Sequence, residues 1–128
     1  GGTWGTATSR LNTWSPEVET PVDEIMGRVC ALIARDGGKN GPLLATYVRK
    51  YHHDMWLHFQ AITQQVNPGG RVSYIIGNST FYGHEVPAHK WYAAMLRELG
   101  YLDVKIEAIR KRNSNKALFE YDVTGRRP

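Results

Sequence analysis

Two clusters of polar side chains in this 128-residue chain have the composition to do chemistry. The first is Gly77-Asn78-Ser79-Thr80, directly after the apolar run Val72-Ser73-Tyr74-Ile75-Ile76. That run is rich in β-formers, and its near-continuous apolar centre reads as a strand buried on both faces. Ligands of open α/β sheets sit in the crevice at the carboxyl ends of the strands. Asn78, Ser79 and Thr80 could therefore touch a substrate base or a cofactor; they could equally cap and turn the loop that follows. The second cluster is Arg110-Lys111-Arg112-Asn113-Ser114-Asn115. Guanidinium groups pair bidentately with phosphate, and Asn and Ser add neutral hydrogen bonds. Over residues 105–116, Lys105, Arg110, Lys111, Arg112 and Lys116 are opposed only by Glu107. Such clustering suits a polyanion, and a solvated hairpin tip has the same composition. The net charge of +4 is too mild to decide between them.

Other candidates carry less. His52-His53-Asp54 and His58 invite a metal reading. On a helix Asp54 and His58 share a face while His52 and His53 point elsewhere, and nothing completes four ligands, so no metal site is expected. His84 and His89 flank the start of a helix, where capping or surface roles suit them better. Gly37-Gly38-Lys39-Asn40-Gly41 follows a helix and lacks the Gly-Lys-Ser/Thr ending of a phosphate loop, so it reads as a linker. Cys30 is the one cysteine, which excludes an intrachain disulfide, suits a reducing cytoplasm and reads as a buried thiol.

The elements that hold these clusters are legible from periodicity. Residues 1–20 look irregular, with Trp4, Leu11 and Trp14 as isolated anchors. A helix over 21–35 opens on Thr20, Pro21 and Asp23 and carries the stripe Val22, Ile25, Met26, Val29, Leu32 and Ile33. A second helix, from Pro42 to about Val66, repeats Leu44, Val48, Tyr51, Met55, Phe59 and Ile62 at spacings of three and four. Asn67-Pro68-Gly69-Gly70 stops it. A strand over 71–77, a helix from Pro87 to Gly100, and two alternating strands near 102–108 and 119–123 follow. A strand–helix–strand unit predicts a right-handed parallel crossover. The expected fold is therefore α/β, with a mostly parallel sheet and a C-terminal antiparallel hairpin strand. It forms one domain over 21–128.

This order is similar to the C-terminal half of a class I S-adenosylmethionine-dependent methyltransferase, a Rossmann-like fold whose last, antiparallel strand slots between the two before it. The Asn67-Pro68-Gly69-Gly70 turn resembles the proline–glycine turn before the fifth strand of that fold. Gly77-Asn78-Ser79 and Ile109-Arg110-Lys111-Arg112-Asn113-Ser114 look most like prokaryotic DNA methyltransferases acting on adenine-N6 or cytosine-N4. The resemblance covers about residues 42–125. It implies S-adenosylmethionine as cofactor, DNA as partner and a flipped target base. It also implies substrate contacts from Asn78, Ser79, Thr80, Arg110, Lys111, Arg112, Asn113 and Ser114.

The sequence departs from that family in two places. No glycine-rich turn follows a strand, and no Pro-Pro pair stands where the Asp/Asn/Ser-Pro-Pro-aromatic motif belongs. Both motifs would lie upstream, so the chain alone is expected to be inactive and to need an upstream half or a partner subunit. The rival reading is a non-catalytic remnant that binds nucleic acid or protein, its bare apolar face covered by self-association. A third is a methyltransferase half acting on RNA or a small molecule. No apolar run approaches the roughly 18 residues that span a membrane, and no signal peptide is visible, so a cytoplasmic location is expected.

Overall fold

The structure is a computed structural model that describes residues 11–113 and 118–128, with 112 and 113 as backbone only. Its elements are α1 (Asp23–Asp36), a short 3-10 turn (Gly38–Asn40), α2 (Gly41–Thr63), β1 (Arg71–Gly77), β2 (Ser79–Phe81), β3 (His84–Val86), α3 (Ala88–Glu98), β4 (Leu102–Asn113) and β5 (Leu118–Arg126).

The helices form where the periodicity places them. Ahead of α1, the Thr20 backbone N–H and hydroxyl both donate to the Asp23 carboxylate, at 3.0 and 2.7 Å, and the Thr20 hydroxyl oxygen accepts the Val22 N–H at 3.2 Å. Thr20 thus braces the entry to α1 without making the capping box its sequence suggests; the helix itself starts after Val22. Met26, Cys30 and Ile33 are the buried row of α1. On α2, Val48 and Phe59 are buried as the stripe implies, but Ala45, His52, His53 and Trp56 are buried too. α2 is thus enclosed on more than one side, because α1 packs along it while Phe59 meets Tyr74 of β1 and Tyr92 of α3 edge-on. Past the end of α2, Gly69 takes φ +79°, and its N–H donates to the Arg127 carbonyl at 2.9 Å. The turn is thereby tied to the end of β5. Before α1, Leu11 is buried in a helical turn at 11–13, and Trp14 meets His53 edge-on.

The mostly parallel, Rossmann-like sheet is not found. β1 pairs with β5 and β5 with β4, and both pairs are antiparallel, in the order β1-β5-β4. β1 and β4 do run in the same direction, as a crossover through α3 requires, but they never touch. The returning strand inserts between them and so replaces one parallel contact with two antiparallel ones. Val123 is the seam: fully buried, it lies opposite Tyr74 on one side and Ile106 on the other.

Burial of β1 on both faces is not found either. Val72, Tyr74 and Ile76 turn toward the helices, whereas Ser73 and Ile75 point away, with Ile75 56% exposed. α3 packs against all three strands of this sheet and α2 reaches β1 through Phe59 and Tyr74, while α1 packs on α2 and on β3.

A second, two-stranded sheet was not legible in the sequence. β2 and β3 pair antiparallel through Tyr82 and Gly83, whose φ values of +51° and +83° suit a tight hairpin turn.

Candidate functional site

The register of the sheet brings the two polar clusters to one edge. Gly77 at the end of β1 lies opposite Glu120, and Glu120 lies opposite Arg110 near the end of β4. The Arg110 guanidinium forks onto one Glu120 oxygen at 2.9 and 3.0 Å while its side chain stays 69% exposed. Lys111 is exposed opposite Phe119. The β4 register slips between Ala108 and Arg110 and again between Lys111 and Asn113. Such bulges re-aim side chains and twist an edge strand. Arg112 and Asn113 continue β4 as backbone, and Ser114 lies outside the described residues.

The first cluster divides. Thr80 is exposed and Ser79 half-buried, but Asn78 is only 1% exposed. Its Nδ2 donates to Glu85 Oε2 at 2.7 Å, and its Oδ1 accepts the Phe119 N–H at 2.9 Å. The sequence leaves this amide either a ligand contact or a cap for the following turn; in the structure these two hydrogen bonds run within the protein.

Beside Ser79 opens a cavity of about 210 Å³ between the first half of α2 and the end of β1. Tyr47, Tyr51 and His52 form one wall, and Ile76, Ser79 and Phe81 the other. Its surroundings are neutral. The Tyr51 and Tyr92 hydroxyls share a 2.6 Å hydrogen bond. Burial, helped by that bond, pushes the Tyr92 hydroxyl well above its usual range. The His52 Nδ1–H donates to the Val48 carbonyl at 2.8 Å, which fixes the tautomer, because a carbonyl can only accept. Among the described residues, neither the His52 Nε2 lone pair nor the buried Trp91 indole N–H, a donor, has a hydrogen-bond partner. Burial drives the His52 pKa down to about 4, with His53 adding to the effect and the Val48 bond opposing it.

The β2–β3 hairpin that walls this cavity is held from both faces. On one face Asn78 bonds Glu85. On the other, His84 Nε2 donates to Asp36 Oδ2 at 2.6 Å, and Arg35 clamps the same carboxylate with two 2.8 Å bonds. Arg35 first and His84 second hold Asp36 well below the ordinary carboxylate range. Behind the hairpin, His89 is buried and stacks on Tyr121.

Among the described residues no group of three or more His, Cys, Asp or Glu could hold a metal ion. No helix there is long and apolar enough to cross a membrane. The walls Tyr47, Tyr51, His52 and Phe81 escape the sequence reading. Tyr47 and Tyr51 are spaced four apart on one helical face, a pattern that core residues share. Comparison with protein-family models, with curated proteins and with solved structures finds no match to this chain.

Proposed function

We propose that this chain supplies the base-side wall and phosphate contacts of a DNA amino-methyltransferase, which transfers a methyl group from S-adenosylmethionine to the exocyclic nitrogen of adenine or cytosine. One observation carries the reading: the row Gly77, Glu120, Arg110, which sets an aromatic-walled cavity and an exposed basic strand end at the same sheet edge. An extruded base needs flat, uncharged walls, and the strand it leaves needs cations close by. In this reading Tyr47, Tyr51 and Phe81 offer ring faces, Ser79 a hydroxyl, and Arg110 and Lys111 the phosphate contacts.

The described residues do not by themselves fit S-adenosylmethionine. A nucleoside cofactor is held by a strand–glycine turn–helix unit. Here β1 leads into a hairpin and β4 leads back into β5, so neither strand opens such a unit. Cofactor binding and the transfer step are assigned to an upstream segment or partner chain. Among the described residues, Ile75 is 56% exposed and β1 has a strand partner on one side only, which suits such a segment or chain.

Calorimetry with S-adenosylmethionine tests the division of labour. Binding only when an upstream-encoded half is added is the expected result, and binding by this chain alone overturns the assignment. Anisotropy with labelled DNA and RNA oligonucleotides tests the wall itself. Failure to bind either nucleic acid, with or without that half, overturns the reading.

A further inference from the structure

Among the described residues, Asn78 meets two groups that demand opposite polarity. An ionised carboxylate such as Glu85 only accepts hydrogen bonds, and the Phe119 backbone N–H only donates. The amide satisfies both at once, donating from Nδ2 at 2.7 Å and accepting at Oδ1 at 2.9 Å. Asp lacks the donor, Ala lacks both groups, and Gln is one methylene too long for a site that is 1% exposed. The two partners belong to different parts of the edge. Glu85 is the middle residue of β3, on the hairpin that walls the cavity. Phe119 is near the start of β5 and lies opposite Lys111 of the basic strand end.

We infer that Asn78 is a positioning residue: its side chain fixes the basic end of the β4–β5 pair relative to the cavity-walling hairpin, and does not itself meet the ligand. The inference rests on the nucleic-acid reading above for its functional half. Its structural half stands on the two hydrogen bonds alone. Asn78→Asp sets two carboxylates in hydrogen-bond contact and removes the Nδ2 donor that joins them. Adding Glu85→Gln returns the donor from the other side, since the new amide can donate to the new carboxylate while Phe119 still donates to it.

The experiment follows the Phe119 amide by hydrogen exchange. In parallel it measures the affinity of the full chain for a short labelled single-stranded DNA oligonucleotide near neutral pH. Asn78→Asp is expected to lose Phe119 protection and about tenfold in affinity. Glu85→Gln alone is expected to be nearly silent, and the double variant to recover both readouts. If Asn78→Asp does not fold, Glu85→Ala replaces it, breaking the same link at an exposed residue, with the same drop in affinity expected. Rescue by a second carboxylate-to-amide change assigns the loss to the contact between residues 78 and 85, and a melting temperature measured on each variant separates a change in position from a loss of folded protein. A double variant no better than Asn78→Asp overturns the linkage. Rescued protection with affinity unchanged throughout overturns the positioning role. Wild-type protein that binds no oligonucleotide, while the protection pattern holds, overturns the functional reading and leaves only the structural link.

Discussion

His89 lies flat on Tyr121, with ring centroids 3.8 Å apart and planes 3° from parallel. The imidazole comes from the first turn of α3 and the phenol from β5, so this stack joins helix to sheet directly behind the candidate site. Among the described residues, His89 Nδ1 is buried without a hydrogen-bond partner, and burial lowers its pKa against the raising field of Glu85. A proton there would bring charge into a buried stack at a helix N-terminus, where the helix dipole disfavours cations.

Stability is therefore expected to fall on the acid side. His52 and His89 both have folded pKa values below those of the unfolded chain, so between the two values the unfolded state binds more protons and stability rises with pH. For His52 the window runs from 6.5 down to about 4. Its stabilising contribution is complete above the upper value and lost through the window, about 3 kcal/mol in all. Urea unfolding at pH values spanning that window checks this, and His52→Phe should flatten the slope by His52's share. A slope unchanged by that substitution rules the assignment out.

The Tyr74, Phe59 and Tyr92 rings make a T-shaped trio that fastens α2 and α3 to β1. Phe59 is fully buried at its centre. Phe59→Ala should cost about 3–5 kcal/mol, because the cavity left cannot collapse without moving both helices. Chemical denaturation reads this directly; a loss below about 1 kcal/mol would mean that the trio does not organise the core.

Tyr82 holds φ +51° at the hairpin turn and is half exposed. A bulky L-residue there is strained, and Asn tolerates the conformation far better. Tyr82→Asn is expected to raise stability by about 0.5–1 kcal/mol and the melting temperature by a few degrees. A thermal melt settles it; a lower melting temperature would show that the Tyr82 ring, packed near Gly37, contributes more than the strain removes.

How much of this was legible depends on what periodicity reports. It identifies faces, so the rows Met26, Cys30, Ile33 and Val48, Phe59 were readable, as was the strand beginning at Arg71. It does not identify partners. The alternation near Val123 does not say that β5 lies between β1 and β4. Only the family resemblance implies that insertion, and among the described residues it makes every strand contact in this sheet antiparallel instead of mostly parallel. β2 and β3 have three residues each, too few for a period to emerge. At the site, residue type gave polarity and not direction. Asn78 has the chemistry of a ligand contact, and its hydrogen bonds point inward. His52 lies off the stripe that the sequence marks as the buried face of α2, and its burial depends on α2 being enclosed on more than one side.

Arg110 and Glu120 supply the last prediction. Their ion pair spans the edge at which phosphate would arrive, and it is exposed on the arginine side, so it adds at most about 1 kcal/mol to the fold. For nucleic-acid binding it has the opposite sign, because the Glu120 carboxylate repels phosphate and occupies the guanidinium. Glu120→Gln should therefore leave the melting temperature nearly unchanged while tightening DNA binding several-fold at low salt. Arg110→Ala should weaken binding and reduce the slope of log affinity against log salt by about 1. Anisotropy titrations over a range of salt concentrations measure both. Equal affinities for the two variants would remove Arg110 from the interface and leave β4 an ordinary solvated edge strand, its lysines and arginines there to block pairing with other chains.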